Sequence, residues 1–556
     1  MLRSNKAHLV GLGGVPTGEQ ARTALLLYTA EQFHLPLFPH KMTPETLSAR
    51  SVTYRLGTQT IYALIGNTFT LVVGLPLQIY VSRTLGARSL GVYALIDGAV
   101  FTAAGFLGFG VAQTAVRFLP EHLANNEYKN LRYLLRLGVI MLSVVGGLAY
   151  VGLLLALCIL DRFWPTLAAY SHVVAIMGLM LPLGLLTYLL QQGLRGFQEI
   201  RYLVFGSSIL QLSGKAAATC FAFAIGMSLE GYVLATVFGS LVGVSWMAWG
   251  LKHKLEQLPE NESNRSAPPL RAWRRYAAIC YSTSLLGVAS ARLDRFMLGA
   301  FVDSSAVGVL LVVYQLQQFP QLFNTMLLMV GTPMFAAAHS RDASAEREHL
   351  FALTTDWSVK ASLPLLLFLA LFAHPVLGLF GPGFPDTGTA VLCLLLFGQA
   401  FSLAAGPVGS VVMMSGLEHI GLRIDAINTI ITVVLTIGLA VPFGLFGVAV
   451  ATVTSAVFVN LSLMIVARRR LGLRWWNNRY FGWLAPAAVS GGIAVAISHA
   501  GVAIGAVSLS VTLIVMYLSF AFVLYIQGLN DDERYLLRNI ASRFSSLLKK
   551  SFSPRT

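Results

Sequence analysis

The chain has 556 residues, of which 56% are hydrophobic and 11% are charged. Soluble domains carry about 25% charged residues, so this composition excludes an ordinary water-soluble fold and indicates an integral membrane protein. The net charge of +15 is spread in short clusters between apolar runs, a pattern that reflects membrane topology and argues against nucleic-acid binding.

Residues 1–56 precede the first apolar run and are polar and basic. They lack the compact apolar segment and small-residue cleavage site of a signal peptide. We therefore predict a cytoplasmic N-terminal extension. No cofactor or metal is predicted for the chain, because its four cysteines all lie in apolar runs and show no paired spacing.

From residue 57 onward, runs of about 20 or more mostly apolar residues recur, and each can cross the roughly 30 Å hydrocarbon core as a helix. The sequence predicts an all-α polytopic membrane protein with about 14 such spans. In chain order the predicted spans are residues 57–81, 89–115, 133–160, 168–193, 201–225, 230–251, 275–300, 306–336, 357–380, 386–414, 421–441, 444–467, 481–501 and 505–527.

The basic residues predict the orientation of these spans. With the N-terminus in the cytoplasm, most of the 39 Lys and Arg residues fall in cytoplasmic connections, as the positive-inside rule requires. Arg468, Arg469 and Arg470 are followed by Trp475 and Trp476, which predicts an anchor at the lipid headgroups. We expect a multi-pass protein of the bacterial cytoplasmic membrane with both termini inside.

An internal repeat predicts the architecture. Leu229–Val237 and Leu445–Val453 align at an offset of 216 residues, and Leu90–Val92 and Val307–Val309 align at 217. Two matches at nearly one offset indicate two six-helix halves, related by an axis along the membrane normal, with sites expected at the interface between them.

The repeat also predicts the domain boundaries. The C-terminal segment places Leu536, Ile540, Phe544 and Leu547 on one helical face, which indicates an amphipathic helix on the inner leaflet. The predicted domains are the extension 1–56, a first lobe 57–251, a cytoplasmic linker 252–274, a second lobe 275–467, spans 13 and 14 at 481–527, and the cytoplasmic amphipathic tail 528–556.

Three charged residues, Arg292, Asp294 and Arg295, lie inside the apolar segment Ser284–Gln318. A charge in hydrocarbon costs at least a few kcal/mol and marks a pathway or a partner. The two arginines are three residues apart and share a helical face, and guanidinium groups bind phosphate oxygens bidentately. The cluster predicts either a phosphate or diphosphate site, or an ion-pair latch between the halves in which Asp294 acts as a gate residue.

Other polar residues at membrane depth add candidates. Lys215 lies near the middle of span 5 with no carboxylate within one turn, so it faces a cavity or pairs with another helix. Asp97 in span 2 is a candidate partner for Lys215 or an ion site. Gln113 and Arg117 near the inner end of span 2 are candidates for contacting a headgroup on entry, although an arginine at a helix end also commonly snorkels to the interface.

The sequence resembles the polysaccharide flippases of the multidrug/oligosaccharidyl-lipid/polysaccharide exporter superfamily. The segments that carry the resemblance are Leu90–His122, Ala291–Val309 and Phe380–Arg470. The resemblance implies two six-helix bundles forming a V around a cationic cavity, with Arg292 and Arg295 at positions where the family places basic residues. It further implies a non-enzymatic flippase that moves an undecaprenyl-diphosphate-linked oligosaccharide across the membrane for surface polysaccharide synthesis, with polysaccharide assembly proteins as partners.

Three alternatives remain open from the sequence. A peptidoglycan-precursor flippase shares the number of spans. A cation-coupled multidrug exporter of the same superfamily would be expected to carry an acidic residue in span 1, which residues 57–81 lack. A membrane glycan polymerase or ligase is disfavoured because the predicted outer connections are short and hold only scattered acidic residues.

Overall fold

The structure is a computed structural model that describes residues 44–160, 170–259, 269–290, 292–341, 343–473, 482–499, 505–528 and 534. Within these ranges the regular structure is helical throughout, which confirms the predicted all-α class. The predicted aromatic anchor at Trp475 and Trp476, and most of the predicted extension 1–56 and tail 528–556, lie outside the described residues.

The described residues of spans 1 to 6 form eight α-helices and one π-helical segment. Spans 1 and 2 follow each other as one helical stretch with a kink at Gly86. The φ of Gly86 is 73°, a conformation that glycine adopts without strain. We call the last part of this stretch, residues 87–107, α1b. The helices are α1 (Pro44–Leu107), α2 (Val111–Ala124), α3 (Tyr128–Leu160), α4 (Ser171–Gly178), α5 (Met180–Gly196), α6 (Ile200–Val204), α7 (Gln211–Ala224) and α8 (Leu229–Glu256), with the π-helical segment Phe205–Leu210 between α6 and α7.

Spans 7 to 14 form ten helices in the part of the chain that the structure describes. The sequence predicted span 7 as one helix over 275–300, but the structure divides it between Ser290 and Leu293. The helices are α9 (Leu270–Ser290), α10 (Leu293–Phe301), α11 (Ser304–Ser340), α12 (Ser344–Leu371), α13 (Ala373–Gly378), α14 (Pro385–Ala405), α15 (Val408–Met414), α16 (Glu418–Leu471, kinked at Gly444), α17 (Leu484–His499) and α18 (Ala506–Gln527).

Eight helical stretches in the described ranges are long and apolar enough to cross a membrane. The stretches Tyr62–Leu107 and Glu418–Leu471 have 46 and 54 residues, so at about 1.5 Å per residue each is long enough for two crossings. The chain is therefore a multi-pass membrane protein, and the total of 14 spans remains a prediction. The other six stretches are Tyr128–Ile159, Ser171–Gly196, Leu229–Glu256, Ser304–Leu328, Pro385–Ala405 and Ala506–Gln527.

Helix α11 begins at a turn capped by Asp303. The Asp303 carboxylate accepts hydrogen bonds from the backbone amide of Ser304 and the hydroxyl of Ser305. The bond from Ser305 is the main cause that lowers the pKa of the Asp303 carboxyl. An aspartate in this position satisfies amide groups that have no partner inside the helix, which fixes where α11 starts.

The last two helices dock on α12 through buried polar groups. The Asp356 carboxylate, only 2% exposed, accepts hydrogen bonds from Trp483 Nε1 at 2.8 Å and from Lys360 Nζ at 2.7 Å. Tyr517 in α18 donates a hydrogen bond to the carbonyl of Ala361 at 2.9 Å. Since a buried carboxylate needs such partners, Asp356 fixes the start of α17 against α12 through Trp483, and the bond from Tyr517 fixes α18 there.

Residues 59–556 pack as one compact unit, and a seam within it joins α1b to α9, α10 and α11. Gly91, Gly98 and Gly105 recur every seven residues along α1b. A Cβ added to Gly91 would overlap the Ser304 carbonyl oxygen, and one added to Gly105 would lie 2.6 Å from Val288 Cγ1. Small residues allow membrane helices to approach this closely, so the glycine row sets the spacing of the seam.

The seam predicts the effect of enlarging one glycine. Gly91→Ala should lower the stability of the protein by about 1–3 kcal/mol, because overpacking forces the backbones apart. Thermal unfolding of the detergent-purified protein measures the change. Gly147→Ala is the matched control, since nothing lies within 4 Å of a Cβ at that position, and equal melting temperatures for the two variants would contradict the prediction.

Candidate functional site

The break in span 7 places Arg292 at the start of α10. Its backbone is non-helical, with φ −133° and ψ 10°, and its carbonyl accepts the amides of Arg295 and Phe296 at 3.2 and 3.3 Å. Asp294 lies in the first turn, where its carboxylate accepts the Arg295 amide at 2.8 Å. A carboxylate at this end complements the helix dipole. The predicted cluster is therefore held at a helix N-terminus instead of along one continuous helix.

Arg295 points into the seam and forms an ion pair with α1b. The guanidinium Nη1 of Arg295 lies 3.8 Å from Asp97 Oδ2, and the arginine side chain is 9% exposed while the aspartate side chain is 32% exposed. This distance is too long for a hydrogen bond, and Nη1 has no hydrogen-bond partner within the described part of the chain. The carboxylate thus compensates the charge of Arg295 without satisfying this donor.

Arg292 packs on an aromatic ring of α1b. Its guanidinium carbon lies 4.7 Å from the centroid of the Phe101 ring, within the range of a cation–π interaction. The buried Nε of Arg292 has no hydrogen-bond partner among the described residues. The site therefore contains two buried arginine donors that the described residues leave unsatisfied.

Lys215 is held between two tyrosines. Its Nζ lies 4.4 Å from the centroid of the Tyr232 ring, 5.4 Å from that of the Tyr93 ring and 3.4 Å from the Tyr93 hydroxyl. The two rings are themselves 4.7 Å apart. The sequence offered Asp97 as a partner for Lys215, but the ion pair that Asp97 forms in the structure is with Arg295. We call Lys215, Tyr93 and Tyr232 the lysine cage.

The structure separates Arg117 and Gln113 from the other candidates. Both lie on α2, beyond the break that ends α1b. The exposed Arg117 stacks on Tyr276 of α9, with its guanidinium carbon 4.5 Å from the ring centroid. This is a cation–π contact near a helix end, and it places Arg117 with α9 instead of α10.

Sequence reasoning missed the aromatic partners of the cations. Tyr93, Asp97 and Phe101 are spaced four residues apart on α1b, so they share one face of the helix. The spacing is visible in the sequence. Aromatic residues in an apolar span are nevertheless ordinary, and only the fold shows that Tyr93 and Phe101 each contact a cation.

A multi-pass helical unit with broken helices and buried cations between its packed helices has the architecture of a membrane transporter. The model of the family described as "Polysaccharide biosynthesis protein" matches residues 56–339, just over half of the chain. The chain belongs to this family, which confirms the resemblance inferred from the sequence.

Two similar proteins come from Haloferax volcanii. The probable flippase AglR is 22% identical over 393 residues, which cover 69% of this chain and 77% of AglR. The probable low-salt glycan biosynthesis flippase Agl15 is 22% identical over 231 residues, covering 41% of this chain. The match covers about half the length of Agl15, namely 47% of its residues.

Solved transporter structures share the fold. The lipid II flippase MurJ, in an inward closed conformation, has a TM-score of 0.62 at 13% identity, over 84% of this chain and 98% of that one. A multidrug resistance MATE family transporter of the MOP superfamily, in an inward-facing conformation, has a TM-score of 0.56 at 16% identity, over 73% and 94%. These likenesses confirm the fold expected from the sequence.

The lysine cage predicts a coupled stability effect. Tyr232→Leu should destabilise the protein more than Tyr232→Phe, because a cation–π contact contributes about 0.5–2 kcal/mol and phenylalanine keeps the ring. Thermal unfolding in detergent measures the difference. In a Lys215→Met background, the gap between the Leu and Phe variants should shrink, and a gap of unchanged size would show that the ring acts by packing alone.

Proposed function

We propose that the chain is an alternating-access flippase that translocates a lipid-linked glycan across the membrane. The single observation that carries the proposal is the pair of arginines at the contact of α10 with α1b, whose buried donors have no hydrogen-bond partner among the described residues. The family membership and the two relatives named as flippases support it. In this proposal the chain is a transporter and performs no enzymatic step.

The substrate class follows from the chemistry of the cations. Arg292 and Arg295 offer guanidinium forks, which bind phosphate oxygens bidentately and keep their charge when partly desolvated. Lys215 of α7 adds a third cation, which contacts Tyr93 of α1b. We assign the phosphate or diphosphate head of a polyprenyl-linked oligosaccharide to this cluster, with undecaprenyl diphosphate as the bacterial form of the carrier.

The repeat supports the predicted architecture as part of the proposal. Two lobes, residues 57–251 and 275–467, would move relative to each other, with the linker 252–274 and both termini in the cytoplasm. The contact of Gly91 with Ser304 and the hydrogen bond from Arg83 Nε to the Leu379 carbonyl, at 2.6 Å, then close the outer side. In this closed state the ion pair of Asp97 with Arg295 serves as the latch. When the lobes separate, Arg292 and Arg295 become available to the phosphate head. Arg117 and Gln113 would meet the head on entry from the cytoplasm.

A peptidoglycan-precursor flippase is the second candidate, because the MurJ structure covers 84% of this chain. Its substrate would use the same cations, since it also carries a diphosphate. The multidrug exporter is less well supported, because Asp97 is paired with Arg295 in this state. Partners among the polysaccharide assembly proteins would be specific to the first candidate.

Complementation tests the proposal. In a host that lacks the gene for this chain, Arg292→Ala and Arg295→Ala should reduce surface glycan about 10-fold or more, since hydrogen bonds to charged groups contribute about 1.5–3 kcal/mol each. Glycan staining measures the product, and immunoblotting of membranes checks abundance. The exposed Arg88→Ala is the matched control.

The outcomes separate the candidates. If both arginine variants restore surface glycan as fully as the wild-type chain at equal abundance, the cationic cluster does not bind the substrate. If the wild-type chain instead restores growth to cells depleted of their peptidoglycan-precursor flippase and leaves surface glycan unchanged, the second candidate is correct.

A further inference from the structure

We propose that one face of α1b, formed by Tyr93, Asp97 and Phe101, competes internally for the cations that bind the substrate head. In the closed state this face, called the holding face below, occupies Lys215, Arg295 and Arg292, and the anionic head takes them over when the seam opens. The inference rests on the proposed function and identifies Tyr93, Asp97 and Phe101 as positioning residues.

The geometry assigns one cation to each residue of the holding face. Tyr93 contacts Lys215 of α7, with the hydroxyl 3.4 Å from Nζ. One turn later Asp97 pairs with Arg295 of α10 at 3.8 Å. Residues four apart lie on one face of a helix, so a single rigid element reaches cations that come from both predicted lobes.

One turn further along α1b, Phe101 contacts the third cation, Arg292. Its ring lies 4.7 Å from the guanidinium carbon of Arg292, and the residue is 48% exposed. Gly98, between Asp97 and Phe101, also faces Arg292, because a Cβ there would lie in van der Waals contact with Arg292 Cβ, at 3.7 Å. The glycine row and the holding face therefore belong to the same contact between α1b and α10.

Each of these contacts is weaker than the one that a phosphate could offer. The Asp97–Arg295 distance exceeds hydrogen-bond length, and both arginines keep a buried nitrogen without a partner among the described residues. A phosphate oxygen can accept from such nitrogens in short, charge-assisted hydrogen bonds. A diphosphate can therefore displace the holding face, whereas a neutral glycan has no means to do so.

The charge balance indicates how the competition can be tuned. Arg295 interacts electrostatically with two carboxylates, Asp97 and Asp294, so the three cations Lys215, Arg292 and Arg295 and these two carboxylates together leave one net positive charge. Removing the carboxylate of Asp97 raises the net charge of this cluster to two positive charges and leaves Arg295 without its ion pair to Asp97. If the holding face competes with the head, this variant binds an anion more tightly; if Asp97 only supports the fold, binding stays equal or falls.

Binding of polyprenyl phosphates by the full-length protein tests the inference. The protein is purified into nanodiscs of zwitterionic phosphatidylcholine, and farnesyl diphosphate is the probe, with farnesyl monophosphate as the comparison. Asp97→Asn should bind farnesyl diphosphate about 5- to 10-fold more tightly, because an opposite charge that competed for Arg295 is gone. The exposed Glu230→Gln is the matched control and should bind like the wild-type chain.

A double-mutant cycle shows whether the gain acts through Arg295. Arg295→Gln alone should weaken binding of farnesyl diphosphate about 10-fold or more, and adding Asp97→Asn to that variant should give no gain. The affinity for farnesyl monophosphate should change less in every variant, since this ligand presents fewer phosphate oxygens and less negative charge. A gain of full size in the Arg295→Gln background would overturn the assignment of Asp97 to Arg295.

Phe101 provides an independent arm. Phe101→Leu removes the ring from Arg292 and should tighten binding, whereas Phe101→Tyr keeps the ring and should match the wild-type chain. Phe106→Leu, at another exposed phenylalanine of α1b, is the control for loss of a ring from this helix. Equal effects of the Phe101 and Phe106 leucine variants would contradict the role of the Phe101 ring.

Amide hydrogen exchange reports the expected release of α1b. Farnesyl diphosphate should speed exchange in residues 93–101 of the wild-type chain, although ligands usually protect the elements they contact. Slower exchange in these residues would overturn the inference. The inference would also be wrong if the wild-type chain binds farnesyl diphosphate and Asp97→Asn binds it no more tightly. A wild-type chain that binds no farnesyl diphosphate would count against the proposed function and this inference together.

Discussion

The structure depends on the cost of placing cations in a hydrocarbon layer. Each such charge needs a partner or access to water, and the chain places three of them, Lys215, Arg292 and Arg295, around α1b. Asp97 supplies a carboxylate and the aromatic rings supply polarisable faces. The packing of α1b against α7 and α10 is therefore an electrostatic requirement as well as a packing choice. A buried ion pair need not add net stability, but removing one partner leaves a charge that the rest of the fold must accommodate.

Close approach of the helices makes these weak contacts possible. A cation–π interaction or a 3.8 Å ion pair acts only over short distances, and Gly91 and Gly105 let α1b lie close to α11 and α9 on either side of its contact with α10. The same row contains no polar group of its own. The seam thus combines a smooth backbone surface, along which two elements can separate, with charged contacts that favour the closed arrangement.

The sequence predicted the features that depend on local composition. Apolar runs of 20 residues identified the spans, and Arg292, Asp294 and Arg295 were visible as charges within one of them. The break before α10 was not visible, because Ser290 and Arg292 carry no proline or glycine signal and the break depends on tertiary contacts. The lysine cage was also hidden, since Tyr93 and Tyr232 are 139 positions apart and meet only after α1b packs against α7 and α8. The heptad spacing of the three glycines was readable and would have located the seam.

The predicted repeat is asymmetric at the positions of the cations that α1b meets. At the offset of 217 residues, Arg295 corresponds to Gln78, and at 216 Lys215 corresponds to Ile431. A symmetric pair of lobes would present equal charges across the axis, and these would repel. Here one part supplies two arginines while α1b supplies the carboxylate and the rings. A ligand shifts a conformational equilibrium only by its difference in affinity for the two states. Under the proposed function, an anionic head has that difference, because the cations it needs are occupied when the seam is closed and free when it is open.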